Sequence, residues 1–271
     1  MNTELIDDAL PEEVLVQLRE AKTILEHHGI ADRLTELIGK PITASLKLLP
    51  DVAENAVYAA IDKSMRVALD VALRTLGDDP LKSGKPRLLT HKLMAGVVGA
   101  AGGAMGGATI AAELPVSTVL ILRSVADIAR SEGEDLTSVE SQLACLQVFA
   151  LDPGNSESVD DDTEIGYFAV RAAMAQQIRD ASQFVLKNGV ADTAAPPLVK
   201  LVTMIGKRFG TVVSEKIAAQ AIPVIGALGG ALINSYFIDH YQDIARAHFS
   251  IRRLERRYGV ARVRQVYGGL R

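Results

Sequence analysis

The sequence has little of the residues on which disulfide-linked and nucleic-acid-binding proteins depend. It contains one cysteine, Cys145, and no tryptophan, and aromatic residues occupy 4% of its 271 positions. One cysteine cannot form an internal disulfide, and so few aromatics argue against a surface that stacks nucleobases. The acidic residues 1–13 lack the basic head and apolar run of a secretory signal. These absences predict a cytoplasmic location and no nucleic-acid partner.

The sequence also lacks the familiar catalytic and nucleotide-binding motifs. There is no GxxxxGK loop, no dinucleotide fingerprint after a strand, no HExxH or HxH pattern and no serine–histidine–aspartate spacing. Cys145 lies among apolar neighbours, which favours a packing role over a nucleophilic one. We therefore predict no cofactor and expect no catalysis.

Helical periodicity is what the sequence does have. Alternating runs typical of strands are missing, whereas apolar residues, 48% of the chain, recur with a helical period. The clearest helix covers residues 51–76, where one polar stripe repeats every fourth residue: Glu54, Tyr58, Asp62, Arg66, Asp70 and Arg74. Further helices are predicted at residues 11–28, 31–39, 163–188 and 197–219. The chain is predicted to be all-α.

Two uncharged segments, residues 93–112 and 221–238, are rich in small residues. Thirteen of the twenty residues in the first segment are glycine or alanine. Glycines at four-residue spacing let a second helix approach closely; they are Gly99, Gly102, Gly103, Gly106 and Gly107 in one segment and Gly226 and Gly230 in the other. We predict a multi-helix bundle with these two helices as its central pair, wrapped by amphipathic helices. Pro115 is expected to break the first of them.

Residues 93–112 are also long enough to cross a bilayer, so insertion of the pair as a hairpin is the alternative. A glycine- and alanine-rich face gains more from a close protein neighbour than from lipid chains. We therefore favour the core of a bundle that associates with the membrane from its surface.

Charge is unevenly distributed. Residues 131–164 contain ten acidic residues and no lysine or arginine, with a loop predicted at 152–162, whereas residues 246–271 contain eight arginines and only Glu255. The basic residues can contact anionic headgroups, remain a solvated face, or pair with the acidic segment. The candidates for the membrane surface are Arg252, Arg253, Arg256, Arg257, Arg262 and Arg264.

Glu113 is isolated in apolar sequence and is the first candidate for a site. Its carboxylate can cap a helix that begins near Pro115, or pair with Arg123 or Arg246 in a buried position. Arg123/Asp127, Asp127/Arg130 and Asp243/Arg246 have helical pair spacing, which favours structural ion pairs over ligand binding. Glu113, Arg123, Asp127, Asp243 and Arg246 together are the candidate ligand or ion-pair cluster.

The alternative is a metal-dependent hydrolase. Asp239, His240, Asp243 and His248 share one predicted helix and carry side chains that bind divalent metals, with Glu113 as a further ligand or base. The competing interpretation is that Asp243 pairs with Arg246 while the two histidines are buried and hydrogen-bonded. We predict no metal.

Three blocks resemble the EcsC family: Gly102–Leu136, with its glycine run and the helix RSVADIAR, Cys145–Leu151 (CLQVFAL), and Ile222–Gly259, ending in QDIARAHFSIRRLERRYG. The resemblance extends over residues 85–259. It implies a membrane-associated helical protein at the inner face of the cell membrane, bound to lipid or accessory to an ATP-driven transporter, with no assigned reaction. We expect an N-terminal helical arm (1–50), an EcsC-like domain (51–259) and a basic C-terminal tail (260–271). The arginines at 246–257 directly precede this tail and are counted with it as the tail arginines.

Overall fold

The structure is a computed structural model that describes residues 10–27, 29–38, 51–77, 110–153, 166–190, 192–220 and 226–270. Within these ranges the chain forms nine α-helices and one 3-10 turn, and no strand. The helices are α1 (Glu12–Glu26), α2 (Ile30–Ile38), α3 (Asp51–Thr75), α4 (Ile110–Ser131), α5 (Val139–Gln147), α6 (Tyr167–Asn188), α7 (Pro196–Gln220), α8 (Gly226–Tyr258) and α9 (Val260–Gly269); the 3-10 turn is Val148–Ala150. The prediction of an all-α multi-helix bundle is confirmed.

The polar stripe of α3 faces solvent, as its spacing predicts. Arg66 donates to Asp62 at 2.8 Å, and Arg74 pairs with Asp70 one turn further on. These exposed pairs contribute only about 0.2 to 0.5 kcal/mol each. The opposite face, which includes Met65 and Leu69, is buried, so burial rather than ion pairing holds this helix in the bundle.

Four aromatic residues form a cluster in the core of the bundle. Phe149 lies 5.1 Å from both Phe209 and Tyr241, measured between ring centroids, and Phe237 lies 5.3 Å from Tyr241. All four side chains are fully buried. Tilted and edge-on rings of this kind add about 0.5 to 1.5 kcal/mol per pair beyond the area they bury. The cluster joins α7 and α8 to the 3-10 turn.

Helices α4 and α8 run side by side in the same direction. Gln242 donates to the Ser124 hydroxyl at 2.7 Å, and Arg252 donates to Glu134, just beyond α4, at 2.8 Å. In each of these two bonded pairs the residues are 118 positions apart in the chain, so the register is constant along the two segments. This register places Val116 of α4 level with residue 234 of α8.

The prediction that Pro115 breaks the helix is wrong. Pro115 lies inside α4, which continues from Ile110 to Ser131. Proline removes one backbone donor from a helix, and the helix continues past it here, with two hydroxyls adding bonds to the carbonyls just before the proline. Ser117 donates to the Glu113 carbonyl at 3.1 Å, and Thr118 donates to the Leu114 carbonyl at 2.7 Å.

The predicted central pair lies largely outside the described residues, as do Gly99, Gly102, Gly103, Gly106 and Gly107, and the packing around Gly226 and Gly230 is not part of the description. Close packing at glycine is present at another place. A Cβ on Gly210 of α7 would lie 3.4 Å from Ile61 of α3, and one on Gly206 would lie 3.7 Å from the same side chain. This glycine pair, also at four-residue spacing, brings α7 close to α3.

The N-terminal helices share the main core. Helix α1 packs on α8, and α2 packs on α7 and α8, with Leu18, Leu25 and Leu34 almost completely buried. The division at residues 50 and 259 stays a prediction. Within the described ranges, no helix combines the length and hydropathy needed to cross a bilayer. Most of residues 93–112 falls outside those ranges.

Candidate functional site

Glu113 forms a buried ion pair with a residue that the sequence did not suggest. It lies inside α4, so it is not a helix cap, and its Oε1 is 3.3 Å from Nζ of Lys216 on α7. Both side chains are almost completely buried, and Nζ also lies 4.7 Å from the centre of the Phe237 ring. Burial lowers the pKa of Lys216, while Glu113 opposes that shift. The capping interpretation is wrong, and neither Arg123 nor Arg246 is the partner in this ion pair.

The other members of the predicted cluster have separate partners. Arg123 donates to the Thr75 hydroxyl at 3.3 Å, and Arg130 donates to Asp127 at 3.1 Å. Asp243 accepts from Arg33 of α2 at 2.6 Å and pairs with Arg246 one turn away. The predicted Asp127/Arg130 and Asp243/Arg246 pairs are present. The five residues do not converge on one site, because their partners lie on different helices.

The alternative metal site is not assembled either. His240 Nε2 is hydrogen-bonded to Asp152, His248 Nδ1 is bonded to Tyr167, and Asp243 is paired with arginines. In the part of the chain that the structure describes, no three His, Cys, Asp or Glu side chains are placed to hold a metal ion. Both histidines are completely buried. Asp239, on the same helix, is only partly buried and does not join them in a ligand set.

The structure differs at Asp152 from the prediction of a loop over residues 152–162. Its carboxylate is buried, bonds His240 and accepts from the backbone N–H of Ile30 at 3.3 Å. The first residue of the predicted loop is therefore part of the core. Residues 154–165 lie outside the described residues.

A buried chain of hydrogen bonds joins α6 to the second half of α8. Arg171 donates to both carboxylate oxygens of Glu255, at 2.8 and 2.9 Å, and to the Tyr167 oxygen at 3.2 Å. Because that oxygen accepts from Arg171, the Tyr167 proton is available for Nδ1 of His248, 2.8 Å away. Burial, followed by the charges of Arg171 and Arg252, lowers the pKa of His248 well below its ordinary value. His248 is therefore a neutral acceptor.

This arrangement predicts a loss of stability in mild acid. Below about pH 6.5 the unfolded chain protonates His248 and the folded chain does not, so the free energy of unfolding falls by up to about 1.4 kcal/mol per pH unit. His248→Asn keeps a side-chain acceptor near Tyr167 but cannot titrate. Urea denaturation at about pH 7.5 and about pH 5.5 should show a loss about 1 kcal/mol smaller for this variant than for the wild type. Equal losses of stability in the variant and the wild type would contradict the assignment of His248 as a neutral acceptor.

Three of the tail arginines bind the acidic segment. Gly133, with φ of 80°, ends α4 in a left-handed turn in which Glu134 N bonds the Ala129 carbonyl at 2.9 Å. This turn directs Glu134 toward α8, where Arg252 donates to both carboxylate oxygens and Arg256 also pairs with it. Arg253 pairs with Glu132 at 2.8 Å. The predicted attraction between the acidic middle and the basic tail is confirmed for these residues.

The three remaining candidate arginines do not take part in the pairing with the acidic segment, and two of them lie near aromatic rings. The guanidinium carbon of Arg257 lies 5.2 Å from the centre of the Tyr258 ring, and that of Arg264 lies 5.8 Å from Phe168. Neither makes a salt bridge within the described ranges. Arg262 on α9 is partly buried. The role of these three at a membrane surface stays a prediction.

A groove of about 800 Å³ lies between α1, the start of α6 and α9. Its walls include Phe168, Ala169, Val260 and Ala261, with Tyr267 buried beside them. Lys22, Glu26 and Arg264 supply the charged groups of its lining. Specific small-molecule sites have this mixture of apolar walls and a few polar groups.

A second feature is a set of three exposed apolar side chains in the early turns of α4 and α8. Val116 is 47% exposed, Leu232 is 53% exposed and Tyr236 is 37% exposed. The parallel register puts Val116 between the levels of Leu232 and Tyr236, which are one turn apart on α8. We call these three residues the apolar end. Val116 follows the uncharged segment 93–112 by four residues, whereas Leu232 and Tyr236 lie within the uncharged segment 221–238.

Sequence reasoning missed Lys216, Asp152 and the groove. A buried Glu113 needs a partner, but Lys216 is one of five charged residues on α7 and is adjacent to Glu215, so the sequence did not single it out. The groove could not be recognised in the sequence, because its lining comes from three distant parts of the chain.

Comparison with known proteins identifies the family of this chain. No curated protein and no solved structure matches the chain. The sequence model described as the EcsC protein family matches residues 12–254, which is most of the chain and includes α1 and α2. With helices α1 to α7 and nearly all of α8 inside that match, the chain belongs to the EcsC family.

Proposed function

We propose that the protein binds the surface of a lipid membrane through its apolar end. The observation that carries the proposal is the exposure of Val116, Leu232 and Tyr236 at one end of two parallel helices. Neighbouring exposed apolar side chains are costly in water and are typical of surfaces that contact a partner or a membrane. A tyrosine among them is suited to the interface, where its ring is apolar and its hydroxyl is hydrated.

The sequence around the apolar end supports a lipid partner. Residues 93–112 and 221–238 carry no charge, and the described parts of α4 and α8, which are parallel, begin on the same side of the bundle. The charged residue nearest to Val116 is Glu113, which is already buried in its ion pair with Lys216, and Arg123 and Asp239 lie further along the two helices. Entry of the three apolar side chains into the interface therefore does not require an exposed charge at the start of α4 or α8 to leave water.

The basic tail has a smaller role in this proposal than its composition suggests. Arg252, Arg253 and Arg256 already have carboxylate partners, so a lipid phosphate must compete for them. Exposed Arg257 lies 25 residues beyond Leu232 on α8, about 38 Å along the helix axis, so it adds little electrostatic attraction when the apolar end contacts the membrane. The location at the inner face of the cell membrane and an accessory role for an ATP-driven transporter remain predictions.

Flotation on vesicles of phosphatidylglycerol and phosphatidylcholine tests the proposal. The wild-type protein should float at low salt and in part at high salt, because apolar contact is not screened. Leu232→Glu should lower the partition coefficient about tenfold or more, since burying a leucine side chain is worth about 1.5 to 3 kcal/mol. Leu186→Glu is the matched control, because Leu186 is 76% exposed but lies near the end of α6.

Absence of flotation at both salt concentrations would remove the membrane proposal. Equal losses in Leu232→Glu and Leu186→Glu would show that added negative charge, not the apolar end, decides binding. Circular dichroism of both variants checks that the helices are intact.

A further inference from the structure

We propose that the groove between α1, α6 and α9 binds an amphiphile with one hydrocarbon chain and an anionic head group, such as a long-chain fatty acid. The inference rests on the proposed function in one respect, since a lipid membrane is the source of such molecules. The groove itself is separate from the apolar end, because no residue of α4 lines it.

The size and walls of the groove fit a hydrocarbon chain. Its volume of about 800 Å³ lies within the range of roughly 300 to 1,000 Å³ that is usual for small-molecule sites. Val260, at the start of α9, is 60% exposed, and Phe168, Ala169 and Ala261 extend the apolar wall. An acyl chain along this wall would cover apolar surface that is now in contact with water.

The charge of the lining selects an anionic head group. Lys22 and Arg264 are positive and Glu26 is negative, which leaves one positive charge in excess. Lys22 is already engaged, because it donates to the carbonyls of Tyr267 at 3.3 Å and Leu270 at 2.8 Å and lies 3.6 Å from Glu26. Arg264 has no salt bridge among the described residues and lies against the Phe168 ring. Its guanidinium is therefore the group available for a carboxylate or phosphate.

The groove is held in shape by contacts that do not need the ligand. The hydrogen bonds from Lys22 fix the end of α9 to α1, and Tyr267 of α9 is buried next to Phe168, with 5.0 Å between ring centroids. On the other side, a Cβ on Gly166 would lie 2.5 Å from Oε1 of Glu26, so a larger residue at this position would displace the Glu26 side chain from the groove wall. A preformed site loses little ordering entropy when it binds.

Binding of cis-parinarate, a fluorescent fatty acid, in vesicle-free solution below its micelle concentration tests the proposal. The wild-type protein should give saturable binding that unlabelled palmitate displaces. Arg264→Gln should weaken palmitate about tenfold through loss of the charge-assisted contact, and should leave displacement by the neutral hexadecanol almost unchanged. Ala261→Trp, at an exposed position on the wall, should abolish binding of both.

Matched controls are available on the same chain. Arg179→Gln removes an exposed arginine that bonds Gln176 on α6, and Ala194→Trp adds the same bulk in an exposed loop. Both controls should bind the probe like the wild type. Equal weakening by Arg264→Gln and Arg179→Gln, or full binding by Ala261→Trp, would overturn the proposal.

The two proposals fail in different ways. Absence of saturable probe binding removes the groove proposal even if the protein floats with vesicles, because the probe reaches the groove without a membrane. Probe binding without flotation removes the membrane-surface proposal alone. The wild-type protein could instead be a dimer that Ala261→Trp dissociates and that does not bind the probe. That result would assign the groove to a second copy of the chain and overturn the inference.

Discussion

Replacing Lys216 by methionine is expected to lower the free energy of unfolding by about 3 to 5 kcal/mol, because the substitution leaves the Glu113 carboxylate buried without its cation. Lys216 is 3% exposed and Glu113 is 8% exposed, so water can replace little of the lost interaction. Methionine keeps most of the volume and the contact with Phe237, which confines the change to the charge. Urea denaturation followed by circular dichroism measures the loss.

The double variant Glu113→Leu/Lys216→Met separates the value of the pair from the cost of a lone charge. A hydrophobic pair of similar volume often replaces a buried ion pair without loss of stability. We expect the double variant to lie within about 1 kcal/mol of the wild type, or above it. A double variant as unstable as Lys216→Met would mean that packing, not the unpaired carboxylate, causes the loss.

Glu134→Gln is expected to lower the free energy of unfolding by about 3 kcal/mol, because Arg252 and Arg256 then lie together without the shared carboxylate. Burial alone raises the pKa of Glu134, but hydrogen bonds and charges from the two arginines lower it below its ordinary value. The carboxylate also accepts from the Ser141 hydroxyl at 3.0 Å, so its replacement disturbs a third contact.

Glu132→Gln is the control for that variant, since Glu132 lies in the same turn and pairs with Arg253, whose side chain is 45% exposed. Loss of a solvent-exposed pair costs about 1 kcal/mol or less. Urea denaturation of both variants at the same pH and salt concentration measures the two losses. Equal losses would contradict the prediction that the buried Glu134 carboxylate stabilises the fold more than the exposed Glu132–Arg253 pair does.

Local ion pairs were predictable because helix geometry alone fixes them. Arg66 and Asp62 are four residues apart, and Arg130 and Asp127 are three apart, so their side chains meet on any helix. The attraction of the tail arginines to the acidic segment was predictable only as a tendency. The choice of Glu134 over its acidic neighbours depends on the left-handed turn at Gly133.

Non-local pairs were not predictable in the same way. Arg33 with Asp243, and Asp152 with His240, connect residues far apart in the chain. Their spacing carries no helical signal, and each pairing depends on which helices are neighbours and in which register they pack. The same reason explains why Asp243 and His248, which share one helix, were considered as metal ligands, although Asp243 also pairs with Arg33 of α2 and His248 bonds Tyr167 of α6.

The amino-acid sequence by itself determined that the chain is helical, that α3 has one solvated face, and that the protein belongs with the EcsC family, because periodicity and motif order are properties of the linear chain. Only the tertiary structure decided which charges are buried together, where the groove lies, and that Val116 is level with Leu232 and Tyr236. These features arise from side chains of separate helices, and their positions are set by packing at the crossing points, which no local pattern encodes.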